Sequence, residues 1–547
     1  MPRVLDLPEV KVGRSAFPRR FRQLTTFNVG DIIPLMIEPN VTPGDTAKIP
    51  IKAMLRMQTP LTPVADDLVL DVSAWFVPDR LVWKHFKNFW GENDQTFWEE
   101  QTQYEIPQIE TPKGGWAQGS LADYFGLPTK VEGYSVSHLP FRAYCSIWSE
   151  FFRDENLKEP CFFNDDETTL TGKNYDANTY DYTTDTQLGA RPMKAAKTAD
   201  YFTKCLPEPQ RGPDVFIPLG ETAPIIGTKD VPTGVTAQTS LIDQQIYAST
   251  GNNSSGYLYL RDTEDATNEL GTASNIGLAA DLSNALGATV NALRQSIALQ
   301  RYYEALARSG GRYISVLSGI FGVTSSDARL QRPEFLGGKR YPIVMSEVIA
   351  NTAATNQKLG NVGGMSKTLI NDYICTRSFE EHGCFMVLGV VRVKNRTYQD
   401  GIPRCWTRKK QTDFYNRAFD HLGEMDVKNK EIKTQGASVV DADGNIVDEL
   451  PFGYMPAYED MRLGRSYLTG EMRSNATASL DSYCYADDYS QLPTLSSDWI
   501  DEDPTNVDRT LTIQSSTANQ LYGDFVFETT WIRGMSMYGT PGFMDHM

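Results

Sequence analysis

The sequence predicts a mainly β fold, in which short strands are separated by long loops and a few short helices. Alternating apolar residues, the pattern of a half-buried strand, occur near both ends of the chain, at 68–77 and 525–533. A third segment, 384–393, is almost entirely apolar, as expected for a strand buried on both faces. Because strand patterns open and close the chain, we expect its two ends to belong to one sheet system.

The strand predictions rest on which residues share a face. In 68–77 one face carries Leu68, Leu70, Val72, Ala74 and Phe76. In 525–533, Phe527 and Trp531 alternate with Glu528 and Thr530. The segment 25–46 is a strand-like run that ends in the turn Pro43-Gly44-Asp45, and 437–447 is predicted to be a hairpin around Asp443-Gly444.

Helical periodicity is rare. It is clearest at 289–308, where apolar residues recur at spacings of three and four and Gly310-Gly311 provides a stop. The segments 144–152 and 413–419 are shorter helix candidates.

Composition narrows the classes of protein. The 547 residues are 40% hydrophobic and 11% aromatic, enough for a sizeable core, and the net charge is −17. A dedicated DNA-binding protein would be strongly basic, so the negative net charge argues against that class of protein.

The seven cysteines show no C-x-x-C spacing, which favours buried free thiols in a reducing cytoplasm. No apolar run has the ~20 residues of a membrane helix, and the N-terminus lacks the apolar core of a signal peptide, so we expect no membrane insertion.

Positive charge is concentrated in the first 22 residues, which we predict to be a basic, mobile arm. Six lysines and arginines stand there against two acids, for a net charge of +4, so the remaining residues carry −21. Arginines alternate with aromatic residues at 17–22, a composition that suits single-stranded nucleic acid. Pairing of the arm with an acidic neighbouring subunit is the equal alternative. The candidate DNA contacts in this segment are Arg14, Arg19, Arg20 and Arg22.

A second basic cluster is open to the same two interpretations. It surrounds Trp406 and consists of Arg404, Arg408, Lys409 and Lys410.

Two segments differ in composition from the rest. The first, 228–275, is rich in Thr, Ser, Asn, Gly and Asp and is predicted to be an exposed insertion with little core of its own. Its candidate surface contacts are Asp243, Tyr247, Tyr257, Tyr259 and Asp262. The second, 481–508, carries eight acids and no lysine or arginine, and is predicted to be a solvated face or, less favoured, a divalent-cation site.

The sequence contains no recognisable catalytic or cofactor motif. The glycine-rich 360–368 lacks the second glycine of a phosphate loop and is predicted to be a flexible loop. The aspartates at 441–443 lack the turn glycine and the bidentate glutamate of a calcium loop. We therefore expect a structural protein, with no catalytic residues, metal or cofactor.

Several segments resemble the major capsid proteins of the gokushoviruses, a branch of the Microviridae, which are small single-stranded DNA bacteriophages. The most specific is FGVTSSDARLQRPEFLGG at 321–338. The others are TTFNVGDIIPLMIEPNVTPGDT, LDVSAWFVPDRLVW, FDHLGEMDVKNKEI, LYGDFVFE and PGFMDHM, at 25–46, 70–83, 419–432, 521–528 and 541–547.

The resemblance implies an eight-stranded viral jelly-roll β-barrel with long inter-strand insertions. It implies assembly into a T=1 icosahedral shell, through pentamers and threefold contacts, around circular single-stranded DNA in the host bacterial cytoplasm. An internal scaffolding protein, a pilot protein, a small basic DNA-packaging protein and a host receptor are the implied partners. The implied organisation is an arm at 1–22, jelly roll at 23–227 and 276–547, and a threefold protrusion at 228–275.

The main alternative is a β-rich surface adhesin or carbohydrate-binding protein. Such a protein would need an export signal and would have no use for a basic arm. An enzyme on a β scaffold is the third possibility, weakened by the missing catalytic motifs.

Overall fold

Eight strands form two four-stranded antiparallel sheets that pack face to face. Their bounds are β1 (Ser15–Phe27), β2 (Ile33–Val41), β3 (Thr46–Met57), β4 (Leu68–Pro78), β5 (Glu334–Pro342), β6 (Thr368–Ser378), β7 (Gly383–Val393) and β8 (Leu521–Arg533). The first sheet has the order β1-β8-β3-β6, and the second has the order β5-β4-β7-β2. Two sheets whose strands alternate in this way form a jelly roll. The predicted fold class is confirmed.

The coordinates come from a computed structural model. It describes residues 13–92, 103–213, 215, 225–227, 245–248, 258–261, 278–280, 290–309, 312–351, 359–360, 362–420 and 422–537. The chain divides into two compact units, one formed by Met1–Pro209 with Leu306–Met547 and the other by Gln210–Ala305. The eight strands all belong to the first unit. The insertion predicted at 228–275 lies within the second.

The core between the two sheets follows from the alternation of each strand. The inward side chains of β4 are the five apolar residues predicted from the sequence, and they meet Phe525, Phe527 and Trp531 of β8. Strand β7 is buried along nearly its whole length because its second face packs on another hydrophobic cluster. That cluster is built by the long connection after β4 and includes Trp83, Trp116 and Trp148.

The connections contain short helices and small strand pairs. The α-helices are Phe86–Phe89, Leu121–Tyr124, Leu139–Ile147, Tyr182–Asp185, Val290–Ser309, Tyr313–Phe321, Asn429–Ile432 and Thr505–Asp508. The small strands are Gln108–Glu110, Ser135–Ser137, Leu170–Thr171, Ile225–Gly227, Gln245–Ala248, Leu258–Arg261, Leu278–Ala280, Met345–Ile349, Val362–Ser366, Thr397–Tyr398, Glu424–Lys428, Pro451–Pro456 and Ser466–Tyr467. The long helix is confirmed as Val290–Ser309, and Leu139–Ile147 continues into a π-helical turn through Phe152.

Two local predictions are wrong, and a third holds over a shorter range than predicted. The segment 413–419 is two separate 3₁₀ turns, Gln411–Asp413 and Arg417–Phe419, in which Asp413 and Asn416 bind backbone N–H groups. The predicted loop at 360–368 contributes the strand Val362–Ser366, which pairs with Met345–Ile349. The predicted hairpin at 437–447 is confirmed in a shortened form: Val440 and Ile446 form an antiparallel bridge, and the Asp441 carboxylate accepts backbone N–H groups inside the turn.

The start of the first strand also differs from the prediction. Strand β1 begins at Ser15, inside the segment predicted to be an arm through Arg22, and pairs with β8 over its whole length. The reason is the alternation of Phe17 and Phe21 with arginines, which suits a strand as well as a nucleic-acid-binding arm. The turn at Pro43-Gly44-Asp45 is confirmed, and Gly44 adopts a φ of +88°, which favours glycine.

The acidic segment 481–508 is not simply a solvated face. Asp487 and Glu502 are buried, and both pair with the buried guanidinium of Arg396 just after β7. The distance from Arg396 Nη1 to Asp487 Oδ1 is 3.0 Å. Burial raises the pKa of Glu502, and Arg396 opposes that rise. The segment therefore carries acids whose partner cation lies elsewhere in the chain, where composition within the segment could not reveal it.

We predict that Arg396→Met lowers the free energy of unfolding by about 3–5 kcal/mol, because it leaves two carboxylates buried without their cation. Arg377→Met is the matched control. Arg377 pairs with Glu334 at 3.1 Å with half of its side chain exposed, so its loss costs about 0–1 kcal/mol. Urea denaturation of the purified subunit measures both values. Equal losses for the two variants would contradict a stabilising role for the buried cluster.

Candidate functional site

Strand β1 carries three of the predicted DNA contacts at the edge of the first sheet. Its arginines follow the strand alternation, so Arg20 and Arg22 lie on the outer face and Arg19 lies on the opposite one. All three side chains are largely exposed, as edge-strand positions allow. Arg14 is also exposed and precedes the strand. The structure therefore separates residues that the sequence placed in a single arm.

Arg19 connects the two sheets. Its Nη1 lies 2.7 Å from Glu38 Oε2 of β2, and the same carboxylate accepts a hydrogen bond from Arg533 of β8 at 3.1 Å. Arg533 also lies 3.2 Å from the buried carboxylate of Asp45. The positive charge of Arg19 is compensated within the subunit, so this residue stabilises the contact between β1 and β2.

Arg22 and Arg20 lie beside two carboxylates of β8. Arg22 donates two hydrogen bonds to Asp524, at 2.8 and 2.7 Å, and this holds the pKa of that carboxyl below its usual value. Arg20 is the register partner of Glu528, whose pKa is lowered mainly by Lys52 of β3. Arg20 itself forms no ion pair within the described ranges. Its charge therefore remains open to an external anion.

The second predicted basic cluster is partly neutralised. Arg404 donates to the Asp426 carbonyl at 2.8 Å and lies 3.6 Å from the Glu431 carboxylate, while Arg408 pairs with Asp460. Lys409 and Lys410 are exposed, as is Trp406 at 81%. Among the residues described, no hydrogen bond or ion pair joins this cluster to β1. Of this cluster, Lys409, Lys410 and the neighbouring Trp406 therefore remain accessible to solvent.

The predicted surface contacts of the insertion fall on both described and undescribed residues. Tyr247 lies in Gln245–Ala248 and Tyr259 lies in Leu258–Arg261, and the two tyrosines are register partners in an antiparallel pair. The other three lie outside the described residues; they are Asp243, Tyr257 and Asp262.

The sequence analysis missed three cations on the same outer face as Arg20 and Arg22. They are Lys48, Lys52 and Arg56 of β3, and pairing with β8 sets them opposite outward residues. The signal was available in the alternation of 46–57, where every inward residue is apolar and every second outward residue is basic. These cations lie four residues apart, so they form no continuous run of positive charge.

The described part of the chain offers no metal site and no membrane-spanning helix. There, no group of three or more histidine, cysteine or acidic side chains could hold a metal ion. No described helix is long and apolar enough to cross a membrane. The seven cysteines are free thiols, and all except Cys405 are buried.

Comparison with known proteins gives one consistent result. The family model described as "Capsid protein (F protein)" matches residues 6–543. The chain is 39% identical to capsid protein VP1 of Spiroplasma virus 4, over 97% of this chain and 95% of the relative. It is 35% identical to capsid protein VP1 of Bdellovibrio phage phiMH2K, over 98% and 96% of the two chains. It is 32% identical to capsid protein VP1 of Chlamydia phage 1, over 99% and 97%.

These matches confirm the resemblance to microvirus capsid proteins and favour it over the adhesin alternative. The family match spans nearly the whole chain, including all eight jelly-roll strands. The chain belongs to the capsid protein (F protein) family, whose members are structural proteins of the virion.

Proposed function

We propose that this chain is the major capsid protein of a small bacteriophage and assembles into a T=1 icosahedral shell around circular single-stranded DNA. The observation that carries the proposal is a complete eight-stranded jelly roll within a chain that matches a capsid family from residue 6 to residue 543. Six buried free thiols are consistent with assembly in the reducing cytoplasm of the host. Pentamers and threefold contacts between copies would build the shell, with an internal scaffolding protein and a pilot protein as further partners.

Uniform closed particles are the expected product of assembly. We predict that the full-length chain, coexpressed with its internal scaffolding protein, forms them and has no turnover activity. Sedimentation velocity and negative-stain microscopy measure the outcome, with the chain expressed alone as the control. A monodisperse monomer at high concentration, with scaffolding protein and divalent cations present, would contradict the proposal.

The insertion at 228–275 is proposed to be the host-attachment element. Its polar, acidic composition cannot bury enough apolar surface to form a core, but it suits the tip of a projection. The strands that flank it, Ile225–Gly227 and Leu278–Ala280, pair antiparallel, and Gly227 is the register partner of Leu278. The two ends of the insertion are therefore adjacent, and a two-residue turn can connect them.

Replacement of residues 228–277 by Asn-Gly, a favoured two-residue hairpin turn, should preserve particle formation and reduce adsorption to the host by at least about tenfold. A variant with a Gly/Ser linker of the original length is the control for spacing, and it should also lose adsorption. Adsorption is measured as the fraction of particles removed by host cells. Loss of particles in both variants would instead identify the insertion as an assembly element.

A separate, strongly basic packaging protein is the expected neutraliser of the genome. The subunit carries −17, so it adds to the negative charge of confined phosphates, which repel one another strongly without counterions. We predict that purified DNA-filled particles contain a small basic protein together with polyamines or divalent cations. Mass spectrometry and elemental analysis measure this, with empty particles as the control. Particles that hold DNA with the capsid subunit alone and without excess counterions would contradict the prediction.

A further inference from the structure

The two sheets of the jelly roll differ in what covers their outer faces. The outer face of the second sheet is buried, since Trp75, Met386 and Leu388 pack against the segment after β4. None of the described residues covers the outer face of the first sheet in this way, and Arg20, Lys48 and Lys52 on it are exposed. We call the outward residues of β1, β8, β3 and β6 the bare face.

Strand register shows which side chains share the bare face. Directly opposed residues of antiparallel strands lie on the same face. Arg22 and Lys52 both oppose Val526, and Arg56 opposes Tyr522. The charged residues of the four strands on this face are five cations and two carboxylates: Arg20, Arg22, Lys48, Lys52, Arg56, Asp524 and Glu528.

The carboxylates are occupied by two of the five cations. Arg22 pairs with Asp524 at 2.7 Å, and Lys52 pairs with Glu528 at 2.6 Å. The other three cations, Arg20, Lys48 and Arg56, form no ion pair with any described residue, so they leave a surplus of three positive charges. In a chain of net charge −17, such a surplus on one continuous face attracts an anionic partner.

Aromatic side chains accompany the cations. Tyr373 of β6 is 42% exposed and opposes Pro50 between Lys48 and Lys52. The Arg56 guanidinium lies 5.6 Å from the ring centre of Tyr522. A groove of about 1130 Å³ lies at the edge formed by β1, where Arg22, Leu24 and Tyr522 of the first sheet meet Pro34 and Met36 of the second. Cations beside exposed rings suit single strands, whose unpaired bases can stack while their phosphates are neutralised.

We infer that the bare face binds single-stranded DNA inside the shell, with Arg20, Lys48 and Arg56 contacting phosphates and Tyr373 stacking on a base. This inference rests on the proposed function, because it assumes a shell that encloses DNA. It differs from the sequence-based expectation, since the DNA-binding element is one face of a folded sheet and three of its five cations come from β3.

The test variant combines Arg20→Gln, Lys48→Gln and Arg56→Gln. These substitutions remove charge without orphaning a carboxylate, because none of the three cations pairs with a carboxylate in the described part of the chain. The matched control combines Lys84→Gln, Lys113→Gln and Lys204→Gln, which are exposed lysines outside the bare face that form no ion pair with described residues. Binding of full-length subunits to a single-stranded oligonucleotide is measured by fluorescence anisotropy across a series of salt concentrations.

The slope of log affinity against log salt should fall by about 2 in the test variant, at about 0.7 per lost phosphate contact, and stay unchanged in the control. Tyr373→Leu should weaken binding about tenfold at constant slope, whereas Tyr467→Leu, an exposed tyrosine elsewhere, should not. An unchanged slope in the test variant overturns the inference. Particle formation by the wild-type chain is scored separately, so a failure of the proposed function is distinguishable: it would appear as wild-type chains that do not enclose DNA.

Discussion

The pairing of β1 with β8 is the constraint on which the rest of the jelly roll depends. These strands lie at opposite ends of the chain, yet all thirteen residues of each are in register from Ser15 with Arg533 to Phe27 with Leu521. Strand β8 also pairs with β3, so it completes the first sheet between two strands from the start of the chain. Each long connection between strands therefore begins and ends at the same pair of packed sheets. Insertions can lengthen these connections without changing the core between the sheets.

The same pairing distributes charge. It places the arginines of β1 and the lysines of β3 on one outward face, while their inward neighbours fill the core. Arg19 is the exception, since it faces the second sheet and binds Glu38 there. Strand β1 thus contributes an ion pair that connects the two sheets and cations for an external partner. The two roles fall on opposite faces of β1, because successive residues of a strand point to opposite faces.

The strands that the sequence predicted best are those whose burial is uniform. Strand β7 was evident because both of its faces are buried, and β4 because its inward face is wholly apolar. The pairing partner of Arg396 could not be predicted, because Asp487 and Glu502 are about a hundred residues away in a segment that looked solvated. The bare face could be predicted only in part: the alternation of 46–57 marks the cations of β3 as outward, but their place beside Arg20 and Arg22 depends on which strands become neighbours.

The central claim is that this bare face points at the genome, and a three-dimensional reconstruction of DNA-filled particles tests it most directly. The account predicts that Arg20, Lys48 and Arg56 line the inner surface of the shell, with nucleic-acid density against them. A reconstruction in which the face lies on the outer surface, or is covered by a neighbouring subunit, would contradict it.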